Sequence, residues 1–155
     1  HLEDSNWEFF AFTGNLLKGK VNSLGNIGDI SATGLFEVLP KLPKILKARR
    51  RLLNFLKRER PQILVAMDAP GFNLPLIKVA KRLGVKRVIY FILPQIWAWK
   101  EERKYILSRY ADVLISILPF EGEYFKGLKG ARFHFVGHPS VEMLESLGDV
   151  KTGWG

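Results

Sequence analysis

Residues 63–93 read I-L-V-A-M-D-A-P-G-F-N-L-P-L-I-K-V-A-K-R-L-G-V-K-R-V-I-Y-F-I-L, and the order of residue types in this stretch decides the fold. Residues 63–67 are an unbroken apolar run of strand length. Residues 74–83 place Leu76, Val79, Ala80 and Leu83 at helical spacing, and Gly84 stops them. A second strand-sized run follows at 87–93. Strand, helix and strand in about thirty residues make a unit whose strands pair in parallel.

The same alternation continues outward. A helix is expected at about 100–109, a strand at 113–118, a short helix at 121–125 and a strand at 132–136, with an earlier strand at 7–12. Residues 14–34, rich in Gly, Asn and Ser, read as loop or weak helix. Strands that are apolar throughout imply cover on both faces, so the expected fold is an α/β Rossmann-like parallel sheet with helices on both faces. The chain has 155 residues, 47% of them hydrophobic and 25% charged, which is one domain's worth of sequence with enough apolar surface for a core. With no cysteine, disulfide frameworks, thiolate zinc sites and cysteine nucleophiles are excluded. No apolar run approaches the roughly 20 residues that cross a bilayer. The first six residues do not read as a signal peptide, and without an initiator Met the chain reads as cut at both ends.

The segments that follow the strands differ from those that precede them. After the strands come Asp68-Ala69-Pro70-Gly71-Phe72-Asn73, Pro94-Gln95-Ile96-Trp97-Ala98-Trp99, Pro119-Phe120-Glu121 and Gly137-His138-Pro139-Ser140. In a parallel sheet all of these gather at the carboxyl ends of the strands, where open α/β sheets bind ligands. Asp68 ends an apolar strand with no sequence neighbour to pair it, a position that suits a general base. The others each admit a structural reading: Asn73 as a helix N-cap, Trp97 and Trp99 as packing wedges, Glu121 as a first-turn carboxylate and His138 as a turn residue.

The net charge is +9, and residues 41–60 hold nine basic residues against the single acid Glu59. This segment has a helical period, with Pro43 suited to a first turn and Pro61 to a stop, so a basic amphipathic helix is expected at 43–59. Arg49 falls within its apolar stripe and must snorkel or find a partner. An ordinary surface helix, an anionic membrane surface and nucleic acid all fit such a pattern. No zinc-finger spacing, helix-turn-helix or RNP-like strand accompanies the charge.

Four motifs carry a more specific signal. D-A-P-G-F-N at 68–73, L-P-Q-I-W-A-W at 93–99, L-P-F-E at 118–121 and G-H-P at 137–139, preceded by S-A-T-G-L-F-E-V-L-P at 31–40, occur in an order that resembles the lipid-A-disaccharide synthase family. The resemblance implies one half of a GT-B glycosyltransferase fold, here a single Rossmann-like domain over 1–155 that forms the acceptor-binding half. The implied reaction moves a diacylglucosamine from UDP-diacylglucosamine to the 6-hydroxyl of diacylglucosamine 1-phosphate, with inversion, giving the β-1,6-linked disaccharide.

Asp68 matches the family position of the general base. Asn73, Gln95, Trp97, Trp99, Glu121 and His138 match positions that shape the acceptor side, and neither a metal nor a cofactor is implied. Phe36, Val38, Leu39, Leu42, Ile45 and Leu46 would then face lipid, with Lys41, Lys44 and Lys47 at anionic head groups. That places the enzyme in the cytoplasm, peripheral on the inner membrane of a Gram-negative-type bacterium. Gly71 stands where the family pattern has an acid, and Leu93 where it has a serine. The family's first strand and Gly-rich loop are expected before residue 1, and the carboxy-terminal, nucleotide-binding half after residue 155. The 155-residue chain alone is therefore expected not to complete the reaction.

Overall fold

A computed structural model describes residues 7–14, 19–29, 35–96 and 100–141, with the side chains of 35–39 not described. The chain divides into two compact units, at 1–60 and 61–155.

The first unit contains strand β1 (Phe10–Thr13), strand β2 (Asn22–Asn26), a 3-10 turn at Ile27–Asp29 and helix α1 (Leu35–Glu59). β1 and β2 pair in parallel, with a register shift between Ala11 and Phe12. β2 lies in the stretch expected to be loop. Its sequence, N-S-L-G-N, lacks alternation and strand formers, and its strand character comes from pairing with β1. Helix α1 begins well before Pro43 and runs through both Pro40 and Pro43. A proline's fixed φ is itself helical, so each costs one backbone donor and a crowded carbonyl without compelling a stop. Along α1, Ala48, Leu52 and Leu56 are buried, while Arg49 is half-buried as its place in the stripe requires.

The second unit holds strand β3 (Ile63–Met67), helix α2 (Pro70–Arg82), strand β4 (Arg87–Phe91), helix α3 (Arg103–Tyr110), strand β5 (Val113–Ser116), a 3-10 segment at Pro119–Phe125 and strand β6 (Arg132–Phe135). The four strands form one parallel sheet in the order β3-β4-β5-β6. The register aligns Ala66 with Tyr90 and Tyr90 with Leu114, and all three are buried. On α2 the buried residues Asn73, Leu76, Ile77 and Ala80 repeat at the spacing of one helix face. Gly84, at φ 84°, closes α2: its own N–H donates to the Lys81 carbonyl, and that of Val85 to Ala80.

The chain steps in one direction across this sheet, and right-handed crossovers then return every connector to the same side. α2 and α3 accordingly touch each other on one face. On the outer strand β3, Ile63, Val65 and Met67 stand 40%, 56% and 53% exposed, whereas Ile89, Phe91, Val113 and Ile115 on β4 and β5 are half-buried.

The amino ends of the strands are tied down by polar contacts. Asp112 accepts from Lys81 Nζ at 2.6 and 2.7 Å and from the Val88 N–H at 2.6 Å. Burial pushes the Asp112 carboxyl up, but these bonds and the Lys81 and Arg87 charges outweigh it and hold the group below its ordinary range. Nearby, Ser108 Oγ donates to the Lys129 carbonyl, and the Ala131 N–H donates to that of Ser108. Gly130 sits between them at φ 126°, where an added Cβ would lie 2.2 Å from the Ser108 oxygen, so only glycine fits.

Candidate active site

The carboxyl ends of the strands are arranged differently, beginning with the link between β3 and α2. Asp68 and Ala69 both adopt left-handed backbone, at φ 45° and 40°. For residues with a Cβ, each such conformation costs about 1–2 kcal/mol. Something must hold it, and the hydrogen bonds show what does. The Asp68 N–H donates to the Phe91 carbonyl at 3.0 Å, extending the β3–β4 ladder by one residue. The Asp68 carbonyl accepts from Asn73 Nδ2 at 2.8 Å and from the Tyr90 hydroxyl at 2.7 Å. The second proton of the Asn73 amide goes to the Met67 carbonyl at 2.8 Å.

Asp68 thus has its backbone donor engaged and both lone pairs of its carbonyl occupied. The residue is exposed, and among the described residues nothing pairs with its carboxylate.

Backbone strain recurs along this edge. Of the five non-glycine residues with positive φ among the described residues, four flank the first two loops: Asp68 and Ala69, then Ile92 and Lys100, both at 59°. Strain of this kind persists where the surroundings over-determine it, commonly at functional sites.

Farther along, Phe91, Leu118, Pro119, Val136, His138 and Val141 help line a cleft of about 660 Å³ between the ends of β4, β5 and β6. Its lining is mostly apolar, and Phe91 is the residue whose carbonyl holds the Asp68 N–H. His138 Nδ1 accepts from the Ser140 N–H at 3.2 Å. A ring nitrogen that accepts carries no proton, so the neutral ring is protonated at Nε2 and presents a donor.

Glu121 has a different setting. It is 1% exposed and meets Ser116 Oγ, the hydroxyl that also receives the Leu118 N–H. Burial pushes its carboxyl up, against the opposing effects of the Ser116 hydroxyl and the Leu118 amide.

The structure therefore places Asp68 and His138 both at the carboxyl ends of the strands but does not bring them together: they follow β3 and β6, the two outer strands, and His138 lines the cleft whereas Asp68 reaches it only through its bond to Phe91. Gln95 lies exposed in the second loop, while Trp97 and Trp99 fall outside the described residues. Asn73 is neither an N-cap nor open to a ligand. α2 begins at Pro70, with Ala69 as its cap, and the 7% exposed Asn73 spends its amide on the backbone behind it. Glu121 likewise faces inward, so its contact is with Ser116 rather than with a cleft occupant. Sequence reasoning passed over Tyr90 and Ser116. The available signal was a hydroxyl inside an otherwise apolar strand, which must find a partner when buried.

Tyr90 is fully buried, and its phenol is pushed well above the ordinary range by burial and by the negative charge of Asp68, with Arg103 opposing. It remains a donor at any physiological pH.

Comparison with known proteins bears on what this edge does. The family model described as lipid-A-disaccharide synthetase matches residues 1–152. The lipid-A-disaccharide synthase of Aquifex aeolicus is 45% identical over 140 residues, covering 90% of this chain and 39% of that protein. That of a Sulfurihydrogenibium species is 39% identical over 148 residues, covering 94% of the chain and 37% of the relative. The Trichlorobacter lovleyi synthase is 38% identical over 143 residues, with 92% and 37% covered. The chain spans less than two fifths of the length of these relatives.

Proposed function

Since the chain belongs to the lipid-A-disaccharide synthetase family, we propose that it supplies the acceptor-binding half of an inverting glycosyltransferase of lipid A biosynthesis. In that reading, a diacylglucosamine passes from UDP-diacylglucosamine to the 6-hydroxyl of diacylglucosamine 1-phosphate. Asp68 takes the proton of the attacking hydroxyl. The observation that carries the proposal is the state of Asp68: its backbone is fully engaged and the residue exposed at the ligand-binding edge of the sheet, one hydrogen bond from Phe91, which lines a largely apolar cleft.

A base must reach the proton it removes, and among the described residues no partner competes with that hydroxyl for the Asp68 carboxylate. In this reading His138, with Nε2 protonated, donates to an acceptor oxygen at the cleft, and the exposed Gln95 offers a further amide from the second loop. For Trp97 and Trp99 the family motif is the ground for proposing a role towards the acceptor. Asn73 and Glu121 contribute by fixing the loops that carry it.

Titrating the isotope-labelled chain with diacylglucosamine 1-phosphate in mixed micelles tests this reading. Amide shifts are expected at Asp68, Phe91 and His138 that lipid-free micelles do not produce. Perturbation confined to α1, with the sheet edge silent, would contradict it.

We further propose that α1 holds the protein at the surface of the inner membrane, as a peripheral protein. No described helix is long and apolar enough to cross a bilayer. Leu42 and Leu46 are 42% and 53% exposed, with Lys44 and Lys47 exposed beside them and Lys41 and Ile45 half-buried. Phe36, Val38 and Leu39 precede them on the same helix. Apolar side chains ringed by lysine suit an anionic interface, where each basic residue contributes about 1 kcal/mol. Replacing Lys44 and Lys47 together with Gln should weaken binding to vesicles containing anionic lipid by roughly thirtyfold, with little change for neutral vesicles. Equal weakening on both would shift the attachment to the leucines. Family membership does not favour nucleic acid as the partner of this charge.

A further inference from the structure

We infer that Tyr90 is a positioning residue for Asp68: with the Asn73 amide, its hydroxyl locks the Asp68–Ala69 peptide in the left-handed geometry that leaves the carboxylate exposed at the strand end. The inference rests on the proposed role of Asp68 as the base.

Tyr90 occupies the interior of β4, aligned with Ala66 on one side and Leu114 on the other, and is completely buried. Phenylalanine would fill the same space without burying a hydroxyl, so the oxygen needs a reason to be there. Its partner is not another side chain or the sheet ladder, but the carbonyl of the residue whose φ is left-handed. That carbonyl belongs to the peptide joining Asp68 to Ala69, the one unit whose rotation would relax both residues at once. With two donors on it, rotation would leave a buried phenol and one proton of a buried amide unpartnered. Asn73 grips the preceding carbonyl as well, so the peptides on either side of the Asp68 Cα share one clamp.

A base must be held within a few tenths of an ångström of the proton it removes, and a side chain follows the backbone that bears it. Removing the Tyr90 hydroxyl changes neither the charge nor the apolar volume of the sheet. It releases one of the two bonds on the Asp68 carbonyl and lets the strained peptide sample its relaxed form. The cost therefore falls on the orientation of the carboxylate and hence on the chemical step. Acceptor binding, which draws on the cleft, is left in place.

The test compares Tyr90→Phe with Asp68→Asn in a complete synthase carrying residues 1–152, and reads the backbone carbon shifts of Asp68 and Ala69 in the 155-residue chain. Tyr90→Phe is expected to lower kcat by about tenfold at unchanged KM and to move both shifts away from left-handed values. If kcat stays within about twofold of wild type while Asp68→Asn abolishes turnover, the positioning role is overturned and the base survives. If both shifts stay at left-handed values in Tyr90→Phe, the clamp itself is refuted. Normal turnover by Asp68→Asn removes the base and the inference together. Should Tyr90→Phe fail to fold, Asn73→Ala, which strips the other donor from the same carbonyl, decides by the same readouts. A fall in kcat at constant KM supports the clamp, and unchanged kcat rejects it.

Discussion

Replacing Asp68 with Asn in a complete synthase carrying this segment is expected to lower kcat by about 10²–10⁴-fold, the range that general base catalysis supplies. Stability should not follow. The side chain is exposed, among the described residues its carboxylate meets no partner, and Asn keeps its size. Substitutions of that kind usually stay within about 0.5 kcal/mol. The backbone bonds that hold the turn involve the Asp68 N–H and carbonyl, which Asn retains. KM for the acceptor should change little, because the lost function is proton removal in the transition state rather than ground-state contact. Association with anionic vesicles should persist as well, since the exposed basic residues proposed for it lie on α1. Steady-state kinetics, thermal melts and vesicle sedimentation on one preparation separate these effects. Unchanged kcat would take Asp68 out of the mechanism, and a collapsed melt would show that the carboxylate supports the fold.

Much of the frame behind that prediction is legible in the sequence. β3, β4 and β5 announce themselves as apolar runs bounded by Gly, Pro and Asp, and the polar residues after them are dictated to one edge by parallel pairing. Asp68 was legible for the same reason, as a lone acid after such a run. Its conformation was not. Left-handed backbone is usually signalled by glycine, yet the glycine of this motif is Gly71, inside α2, while Asp68 and Ala69 carry the positive φ.

Asn73 misleads in a related way. A sequence with Asn before Leu-Pro resembles a cap, but Pro70 had already started the helix, leaving the amide free to reach backward. The partner of Tyr90 is a backbone carbonyl 22 residues earlier, and no periodicity encodes a bond to a main-chain oxygen. Backbone pattern follows from residue type, whereas the roles of single polar groups follow from who their neighbours become.

Glu121 shows that difference most sharply, and its protonation leads to the second large effect. The Ser116 hydroxyl has one proton and two lone pairs. It receives the Leu118 N–H at 3.1 Å and lies 2.8 Å from the Leu118 carbonyl, which can only accept. If its proton goes to that carbonyl, the contact with Glu121 is satisfied only when the carboxyl itself donates. Burial, the largest influence on Glu121, pushes the same way. A carboxyl whose folded-state pKa lies above its ordinary 4.5 gives its full stabilisation below that pH, and loses it as pH rises through the folded value.

Glu121→Gln supplies a donor without a charge. It should be at least as stable as wild type at pH 7, and the gap should close near pH 4. Glu121→Ala leaves a void beside an underused hydroxyl and should lose about 2–4 kcal/mol at either pH. It should also loosen Leu118 and Pro119, which line the cleft near His138. Urea denaturation of the three chains at both pH values reads all of this. A Gln variant weaker than wild type at pH 7, with the gap narrowing on acidification, would mean that an ionised carboxylate is what this loop is built to hold.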